Sequence, residues 1–215
     1  MKIVAINGSP RKNGNTATLC KEFLRGSESA GNNIETEIIN LYDLKYTGCK
    51  SCFGCKRIKV DTYGKCVIKD DLQTILDKVA NADGIVLGSP LYFGEMTSQL
   101  KAFLERLLFP FHTYEEGYRS IAPKKMPISM IYTMNVTEEQ MKTYEYDGNL
   151  SNMQNCIEHV FTKPNILYSF NTYQFNNYAY YKVEAFSESV KAEHKKTQFP
   201  IDCQNAFEAG KEMDK

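Results

Sequence analysis

The sequence predicts a doubly wound α/β fold, in which a five-stranded parallel sheet in the order 2-1-3-4-5 carries helices on both faces. Three observations predict it. Five strand-like segments alternate with helical ones, the first strand–helix–strand unit requires a right-handed parallel crossover, and no repeat, low-complexity segment or Pro/Gly/Ser-rich linker interrupts the chain. We therefore expect residues 1–215 to form one domain, with a cysteine-rich excursion at 42–69 and a C-terminal extension after about residue 171.

The first half of the chain contains three predicted strands and two predicted helices. Apolar residues of the first helix recur on one face, and the second strand alternates before it becomes apolar. Gly31 ends the first helix, and Asp70 or Asp71 caps the second. The third strand, ADGIVLGS, is apolar enough to be fully buried. In order, these elements are strand 2–7, helix 16–30, strand 34–41, helix 72–80 and strand 82–89.

The second half is predicted from the same two periodicities. A long helix with an apolar face follows the third strand, and a loop of mixed character at 111–125 leads to the next strand. The remaining elements alternate again and end in a loose polar tail. In order, they are helix 96–108, strand 127–132, helix 150–161, strand 165–170 and helix 187–196.

Composition narrows the classes of function. Lys and Arg together number 26, as do Asp and Glu, so no overall field attracts nucleic acid or an anionic membrane surface. No apolar run reaches the roughly 18 residues of a membrane span, and Met1 leads into a strand rather than a signal-type segment. We expect a soluble, cytoplasmic protein whose partner is a small molecule or another protein.

A loop suited to bind an anion follows the first strand, in the segment KIVAINGSPRKNGNT. A helix N-terminus offers unpaired backbone N–H groups and the positive end of a dipole, to which Ser9, Asn15 and Thr16 add donors. Arg11 adds charge. The pattern is neither GxGxxG nor GxxxxGK[ST], which favours a monophosphate over a dinucleotide or triphosphate. The alternative is an ordinary turn with Asn15 or Thr16 as the helix N-cap.

The predicted strand order brings a second loop to the same edge of the sheet. Strands one and three flank the point at which the strand order reverses, and their carboxyl ends carry the Ser9 loop and the loop 90–94. Open α/β sheets bind ligands in the crevice at such a point. We therefore expect both loops to face one ligand, although Tyr92 and Phe93 also suit core packing.

Four of the seven cysteines lie within residues 49–66. Cys49, Cys52 and Cys55 form CxxCxxC, and Cys66 follows after ten intervening residues. In a reducing cytosol, such a group indicates metal or redox chemistry rather than disulfides. Thiolates at this spacing can bind three corners of a [4Fe–4S] cluster, with Cys66 as a fourth ligand; free or redox-active thiols and zinc are the alternatives.

The other polar features give no motif. His112, His159 and His194 share no ligand spacing, so we expect surface or packing roles for them. The basic segment 191–196 is interrupted by a glutamate and is predicted to be a solvated helix face. The segment 168–181, rich in Tyr and Asn, fits the fifth strand followed by a substrate-facing or oligomer-facing excursion, and equally fits core packing.

Three segments together resemble the flavodoxin-like NAD(P)H-dependent FMN reductase family, and in particular its cysteine-rich branch, which includes the iron-sulfur flavoproteins. They are GSPRKNGNT, the stretch from CKSCFGC to GKCVIKDD, and ADGIVLGSPLYFGEMTSQLKAFLER, and they lie within roughly the first half of the chain. The resemblance implies that the FMN phosphate lies in the first loop and the flavin ring along the loop after strand three. The residues nominated in this way are Ser9, Arg11, Asn13, Asn15, Thr16, Pro90, Leu91, Tyr92, Phe93 and Gly94.

A third loop, after strand four, completes the FMN pocket in this family and is often glycine-rich. Here it reads Thr133, Met134, Asn135 and Val136, which departs from that pattern. The resemblance nominates Thr133 and Asn135 at the flavin. The gap before Cys66 is also longer than in the iron-sulfur flavoproteins. The three hypotheses for the cysteines, an iron-sulfur cluster, free thiols and a zinc site, therefore all stay open.

The resemblance implies an enzyme in which bound FMN takes a hydride from NADH or NADPH and passes electrons to a quinone, a nitro compound or free flavin. No catalytic triad or carboxylate pair is visible, and none is needed, because the flavin carries the chemistry. The alternative is an iron-sulfur flavoprotein that exchanges electrons with a cluster and a ferredoxin-like donor; a redox sensor is a third hypothesis. By resemblance we also expect a homodimer or homotetramer.

Overall fold

The computed structural model describes residues 1–31 and 33–213. Within them the strands are β1 (Lys2–Asn7), β2 (Glu35–Asn40), β3 (Gly84–Tyr92), β4 (Glu95–Met96), β5 (Ile128–Thr133) and β6 (Asn165–Ser169). The α-helices are α1 (Asn15–Ala30), α2 (Leu72–Ala80), α3 (Ser98–Leu108), α4 (Glu138–Thr143), α5 (Tyr146–Val160), α6 (Glu188–Thr197) and α7 (Phe199–Lys211). None of the helices in this part of the chain has the length and apolar character to cross a membrane.

Five of the strands pair in parallel in the order β2-β1-β3-β5-β6. β3 is central, since Gly88 pairs with Asn7 of β1 on one side and with Ile131 of β5 on the other. With β5 and β6 counted as the fourth and fifth strands, this is the predicted order 2-1-3-4-5, and the doubly wound fold is confirmed. The difference is β4, a two-residue strand that forms an antiparallel hairpin with the end of β3.

The sheet builds a core on each of its faces, because successive residues of a strand point to opposite sides. Val4 and Ile6 of β1 pack on the face that α2, α3 and α5 cover. Ile3 and Ala5 pack on the opposite face, with α1 and α7. All four side chains are at most 1% exposed, so β1 is buried from both sides and its end is held rigidly at the site described below.

Two glycines allow α1 and α7 to cross at close range. A Cβ atom at Gly26 would lie 1.8 Å from the Phe207 carbonyl oxygen, and one at Gly210 would lie 1.9 Å from the Phe23 carbonyl oxygen. The Ser27 hydroxyl, also at the crossing, donates to the Gly210 carbonyl at 3.0 Å. Backbone therefore meets backbone, which is why α7 docks firmly onto the sheet layer.

Strand β3 continues beyond the predicted end at Ser89. Pro90 pairs with Thr133 of β5, and Leu91 and Tyr92 pair with β4. The prediction that these three residues form a loop is therefore wrong. Proline tolerates this position because the last part of β3 leaves the sheet interior and becomes one arm of a hairpin.

Two helices were not predicted from the sequence. The helix α4 starts at a capping box, in which the Gln140 amide donates to Thr137 Oγ1 at 3.2 Å and the Thr137 amide donates to Gln140 Oε1 at 2.9 Å. The spacing T-x-x-Q is the signal that could have revealed it. The predicted polar tail is α7, whose small residues pack on α1 as described above. Elsewhere ends shift by a few residues, and α5 begins at Tyr146 rather than at residue 150.

Candidate functional site

The loop between β1 and α1 is shaped by its own polar groups. The Ser9 amide donates to Asn7 Oδ1 at 3.1 Å, and the Arg11 amide donates to Ser9 Oγ at 3.1 Å. The Gly14 amide then donates to the Arg11 carbonyl, also at 3.1 Å. These turns bring the chain directly from the end of β1 to the first residue of α1, Asn15. The N-terminus of α1 is thereby fixed at the carboxyl edge of the sheet.

Among the described residues, no side chain caps α1. The N-cap is Gly14, in an extended conformation (φ −84°, ψ −178°). The Thr16 hydroxyl lies instead 2.7 Å from the Thr133 hydroxyl, and Asn15 Nδ2 donates to the Tyr173 carbonyl at 3.0 Å. The alternative of a turn capped by Asn15 or Thr16 is therefore wrong. Without a side-chain cap, the first-turn amides and the positive end of the helix dipole are available to an anion.

Gly8 ties this first loop to β3. Its amide donates to the Gly88 carbonyl at 2.8 Å, and the Thr97 hydroxyl donates to the Gly8 carbonyl at 2.8 Å. A Cβ atom at Gly8 would lie 2.9 Å from the Gly88 oxygen and 2.9 Å from Cβ of Leu100, so a larger residue would push the two strands apart. The Thr97 amide also donates to Ser89 Oγ at 3.0 Å. The loops after β1 and β3 therefore form one connected unit.

The hairpin that ends β3 presents two aromatic residues beside this unit. Phe93 and Gly94 form its two-residue turn and both have left-handed backbone conformations, with φ of 55° and 76°. This is the geometry of a type I′ turn, which glycine favours and phenylalanine does not. The Phe93 side chain is fully exposed, and Tyr92 is 46% exposed. Packing in the core therefore does not explain either aromatic ring.

A cleft of about 160 Å³ lies between the loops at the carboxyl edge of the sheet. Nine of the residues predicted at the flavin line it, namely Ser9, Arg11, Asn15, Thr16, Pro90, Leu91, Tyr92, Thr133 and Asn135. Asn13, Phe93 and Gly94 do not line it. The Asn13 side chain faces outward and accepts from Lys21 Nζ at 3.1 Å, while Phe93 and Gly94 form the hairpin tip at the margin of the cleft.

The loop after β5 contributes an unsatisfied acceptor to this cleft. Asn135 Oδ1 is buried and has no hydrogen-bond partner among the described residues. A buried polar atom without a partner is costly, and native proteins seldom keep one unless a ligand or water satisfies it. Because Asn135 also lines the cleft, a ligand bound there is a candidate donor to this oxygen.

A fourth wall comes from the Tyr- and Asn-rich segment, for which the sequence left several roles open. The segment 172–175, which follows β6, lines the cleft beside the first loop through Thr172, Gln174 and Phe175. Arg11 donates to the Gln174 carbonyl, and Asn15 Nδ2 donates to the Tyr173 carbonyl next to it. The stretch 168–181 is thus β6 followed by a site-facing excursion, one of the readings left open by the sequence. No local periodicity marks it, so only the fold reveals the contact.

These features suit the flavin mononucleotide that the resemblance implies. A phosphate needs donors and positive charge, and the first turn of α1, the Ser9 hydroxyl and Arg11 offer both. The pyrimidine end of a flavin carries an N–H group from which Asn135 Oδ1 can accept a hydrogen bond. The apolar end of the flavin suits Tyr92 and Phe93. The residues present therefore fit FMN, and their assignment to it stays a prediction.

The four cysteines of the excursion also come together. Cys49, Cys52, Cys55 and Cys66 all line one small, closely packed cavity. Burial raises the pKa of the Cys55 thiol, and the nearby cation Lys56 opposes that rise. Across residues 1–31 and 33–213, no three His, Cys, Asp or Glu side chains are arranged to hold a single metal ion.

A buried arginine organises the wall behind these thiols. Arg106 is 1% exposed, and its Nε donates to Cys66 Sγ at 3.3 Å while the guanidinium pairs with Asp70. On the other side, the Cys49 amide donates to the Glu105 carboxylate at 3.0 Å. Four thiols fit an iron-sulfur cluster in the type and number of ligands.

Two of the histidines are neighbours in space. The His112 and His159 rings lie 4.9 Å apart, His112 stacks on Tyr118, and His159 Nε2 is 2.6 Å from the Tyr118 carbonyl oxygen. Burial, followed by the charges of His159 and Lys56, lowers the pKa of His112. These contacts agree with the predicted packing role.

Lys191 contradicts the prediction that 191–196 is a solvated face. Its side chain is only 1% exposed, although it belongs to the basic segment of α6. Its Nζ donates to the Asn135 carbonyl at 2.9 Å and to Asn171 Oδ1 at 2.9 Å. The start of α6 therefore faces the loops after β5 and β6, a tertiary contact that a lysine-rich sequence does not reveal.

Known proteins resemble this chain in sequence and in fold. The family model described as NADPH-dependent FMN reductase matches residues 1–131. An iron-sulfur flavoprotein of Methanocaldococcus jannaschii is 46% identical over 106 residues, which are 49% of this chain and 51% of that protein. One from Methanosarcina thermophila is 35% identical over 106 residues, 49% of this chain and 52% of its own. The chain thus spans about half the length of the curated relatives it matches.

Solved structures share the fold along the whole chain. An NAD(P)H:quinone oxidoreductase from Methanothermobacter marburgensis superposes with a TM-score of 0.72 at 12% identity, covering 99% of this chain and 98% of that one. An FMN-dependent NADH-azoreductase from Bacillus anthracis, solved in complex with FMN, gives 0.62 at 15% identity, covering 99% and 97%. At such identities the likeness is one of fold. Because the family model matches residues 1–131 of 215, the chain belongs to the NADPH-dependent FMN reductase family.

Proposed function

We propose that this protein is an oxidoreductase that binds FMN in the cleft at the carboxyl edge of the sheet and uses it to pass electrons from NADH or NADPH to a small acceptor. The observation that carries the proposal is the convergence of an uncapped helix N-terminus, a buried unsatisfied acceptor and exposed aromatic rings on one cleft. Quinones, nitro compounds and free flavin are the acceptor classes in view.

The first loop is assigned to the phosphate. Ser9 and the first-turn amides of α1 donate hydrogen bonds to its oxygens, and Arg11 compensates its charge. Thr16 is turned toward Thr133, so it holds the first and third loops together rather than serving the phosphate directly. By binding the phosphate, the loop therefore fixes the position of the rest of FMN in the cleft.

The second and third loops are assigned to the flavin ring. Tyr92 gives an apolar wall to the ring, and Phe93 lies beside it at the hairpin tip. Asn135 Oδ1 accepts from the N–H of the pyrimidine part, which fixes the orientation of the ring. When bound, FMN supplies the redox chemistry, accepting a hydride and releasing electrons, while the protein binds, orients and excludes water.

Anaerobic reduction tests this proposal. Purified protein is loaded with FMN, freed of excess, and titrated with NADH and NADPH in the absence of oxygen. The proposal expects the flavin absorbance to bleach with at least one nicotinamide and to recover on addition of a quinone. Bound flavin that neither nicotinamide reduces would contradict it.

We propose as a second candidate that the protein is an iron-sulfur flavoprotein in which Cys49, Cys52, Cys55 and Cys66 bind a [4Fe–4S] cluster. The specific observation in its favour is the shared cavity of all four thiols, together with relatives whose names describe iron-sulfur flavoproteins. Arg106 would donate a hydrogen bond to the Cys66 thiolate, and Lys56 would place a positive charge near Cys55. In this case a ferredoxin-like protein, rather than a nicotinamide, is the expected electron donor.

Iron and sulfide analysis of anaerobically reconstituted protein separates the two candidates. The cluster hypothesis expects about four iron and four sulfide per chain. Cys52→Ser, which removes an exposed thiol of the motif, should lose them. Cys156→Ser, which removes an exposed thiol on α5, should retain them and serves as the control. Less than about one iron per chain in the unsubstituted protein would rule the cluster out.

We further propose that the protein forms a homodimer or homotetramer. Phe93 is fully exposed at the margin of the cleft, and a second copy covering it would remove this apolar ring from water. Sedimentation equilibrium measures the oligomeric state directly. A monomer at micromolar concentration, with and without FMN, would contradict this part of the proposal.

A further inference from the structure

Lys191 is a buried cation beside the proposed flavin site. Its ammonium group donates to the Asn135 carbonyl and to Asn171 Oδ1, both at 2.9 Å, and lies 3.5 Å from the Thr172 carbonyl oxygen. Asn135 and Thr172 both line the cleft. Lys191 therefore joins two walls of the cleft, and its charge lies directly behind their backbone.

No carboxylate compensates this charge within the described part of the chain. Lys191 takes part in none of the ion pairs found there, and its polar contacts are carbonyl and amide oxygens. The Phe186 ring lies 4.6 Å from Nζ, a cation–π contact that accommodates the charge without neutralising it. Burial lowers the pKa of Lys191 to about 8, so the group is still mostly charged at neutral pH.

A buried cation without a counterion is costly unless it serves a partner. The proposed function supplies one. A hydride transferred from a nicotinamide carries two electrons and one proton, so the nicotinamide is oxidised to NAD(P)⁺ and the flavin becomes more negative by one charge. A positive charge behind the cleft wall favours that reduced form over the neutral oxidised ring.

We propose that Lys191 is a positioning residue of the flavin site, whose buried charge raises the reduction potential of bound FMN while its hydrogen bonds hold the loops after β5 and β6. This inference rests on the proposed function and assigns a role to a helix that follows the matched residues 1–131. It also assigns a role to the burial of Lys191, whose helix neighbours Val190, Lys195 and Lys196 are exposed.

Two variants remove the charge in different ways. Lys191→Met keeps an unbranched side chain, one atom shorter, and deletes the cation. Asn171→Asp keeps the contact to Nζ and neutralises it with a carboxylate; residue 171 has φ of 47°, which aspartate also tolerates. Both should disfavour reduced relative to oxidised FMN by about tenfold. For a two-electron couple this is about 30 mV lower in midpoint potential.

The controls are Lys191→Arg, which keeps the charge, and Lys196→Met, which removes an exposed cation from the same helix. Both should keep the potential of the unsubstituted protein. The measurement is an anaerobic equilibrium titration of bound flavin against a redox dye, with the FMN dissociation constant determined in parallel.

The outcomes separate an electrostatic from a purely structural role. If Lys191→Met binds FMN more weakly but Asn171→Asp leaves the potential unchanged, Lys191 only supports the loops and the inference is overturned. The same holds if both potentials are unchanged. If Lys191→Met does not fold, Asn171→Asp decides alone. If the unsubstituted protein takes up no FMN, the proposed function itself fails, which is a distinguishable result.

Discussion

Replacing Arg106 with methionine should release the cysteine excursion from the rest of the fold. The guanidinium donates to the Thr47 carbonyl at 3.1 Å, to the Ile68 carbonyl at 3.2 Å and to Cys66 Sγ at 3.3 Å. It also pairs with Asp70 through two nitrogens, one of them at 2.9 Å from Oδ1. One side chain of α3 thus holds both ends of the excursion.

The expected loss of unfolding free energy follows from the groups that the substitution leaves without a partner. Removing one partner of a buried ion pair typically costs about 3–5 kcal/mol. The Asp70 side chain is 16% exposed and also accepts from the Leu72 amide at 3.1 Å, which puts the expected loss of unfolding free energy near the lower end, about 3 kcal/mol. The control is Lys101→Met, which removes an exposed cation from α3. It should change the unfolding free energy by less than about 0.5 kcal/mol.

The effect should depend on pH. Burial raises the pKa of Asp70, but the hydrogen bond and charge of Arg106 outweigh burial, so the pKa lies below its usual value. A carboxylate with a lowered folded-state pKa stabilises the protein above its unfolded pKa of about 4, and this contribution is lost as pH falls through the folded-state pKa. Urea denaturation of both proteins at pH 7 and pH 3 measures this. A difference below about 1 kcal/mol at pH 7, or an equal difference at both pH values, would refute the reasoning.

Four further variants test packing and the cleft. Gly26→Ala should lower the unfolding free energy by about 3 kcal/mol in urea denaturation, because its Cβ would lie 1.8 Å from the Phe207 oxygen, whereas Gly148→Ala, with nothing within 4 Å, should be neutral or stabilising. Thr16→Val removes one partner of the buried Thr16–Thr133 hydrogen bond and should weaken FMN binding about fivefold by fluorescence titration. Asn135→Ala should weaken it by roughly tenfold, and an unchanged affinity would show that Oδ1 does not face the flavin.

The sheet could be predicted from the sequence because each strand is marked by the residues within it and directly beside it. Buried parallel strands have short apolar sequences, and the first strand is followed by Gly8, a short loop and a helix. The switch point and its loops therefore follow from strand order alone. The end of β3 was misjudged because Pro90 normally stops a strand, whereas here the hairpin with β4 supplies new partners.

The rest of the candidate site depends on contacts distant in sequence. The fourth wall of the cleft meets the first loop through Arg11 and Gln174, which are 163 residues apart. Lys191 is buried because its ammonium group meets the loop after β5, and α7 packs closely on α1 because Gly210 has no Cβ atom to clash. None of these residues has a local pattern that distinguishes it from a surface residue, so propensity and periodicity do not reveal it.

The central claim, that the first loop is a phosphate anchor for a flavin, is tested most directly by comparing FMN with riboflavin in parallel calorimetric titrations. The two ligands share the ring and the ribityl chain and differ only in the phosphate. Charge-assisted hydrogen bonds from the first turn of α1, Ser9 and Arg11 predict one FMN per chain, bound about 100-fold more tightly than riboflavin. Equal affinity for the two ligands, or no binding of either, would contradict the account.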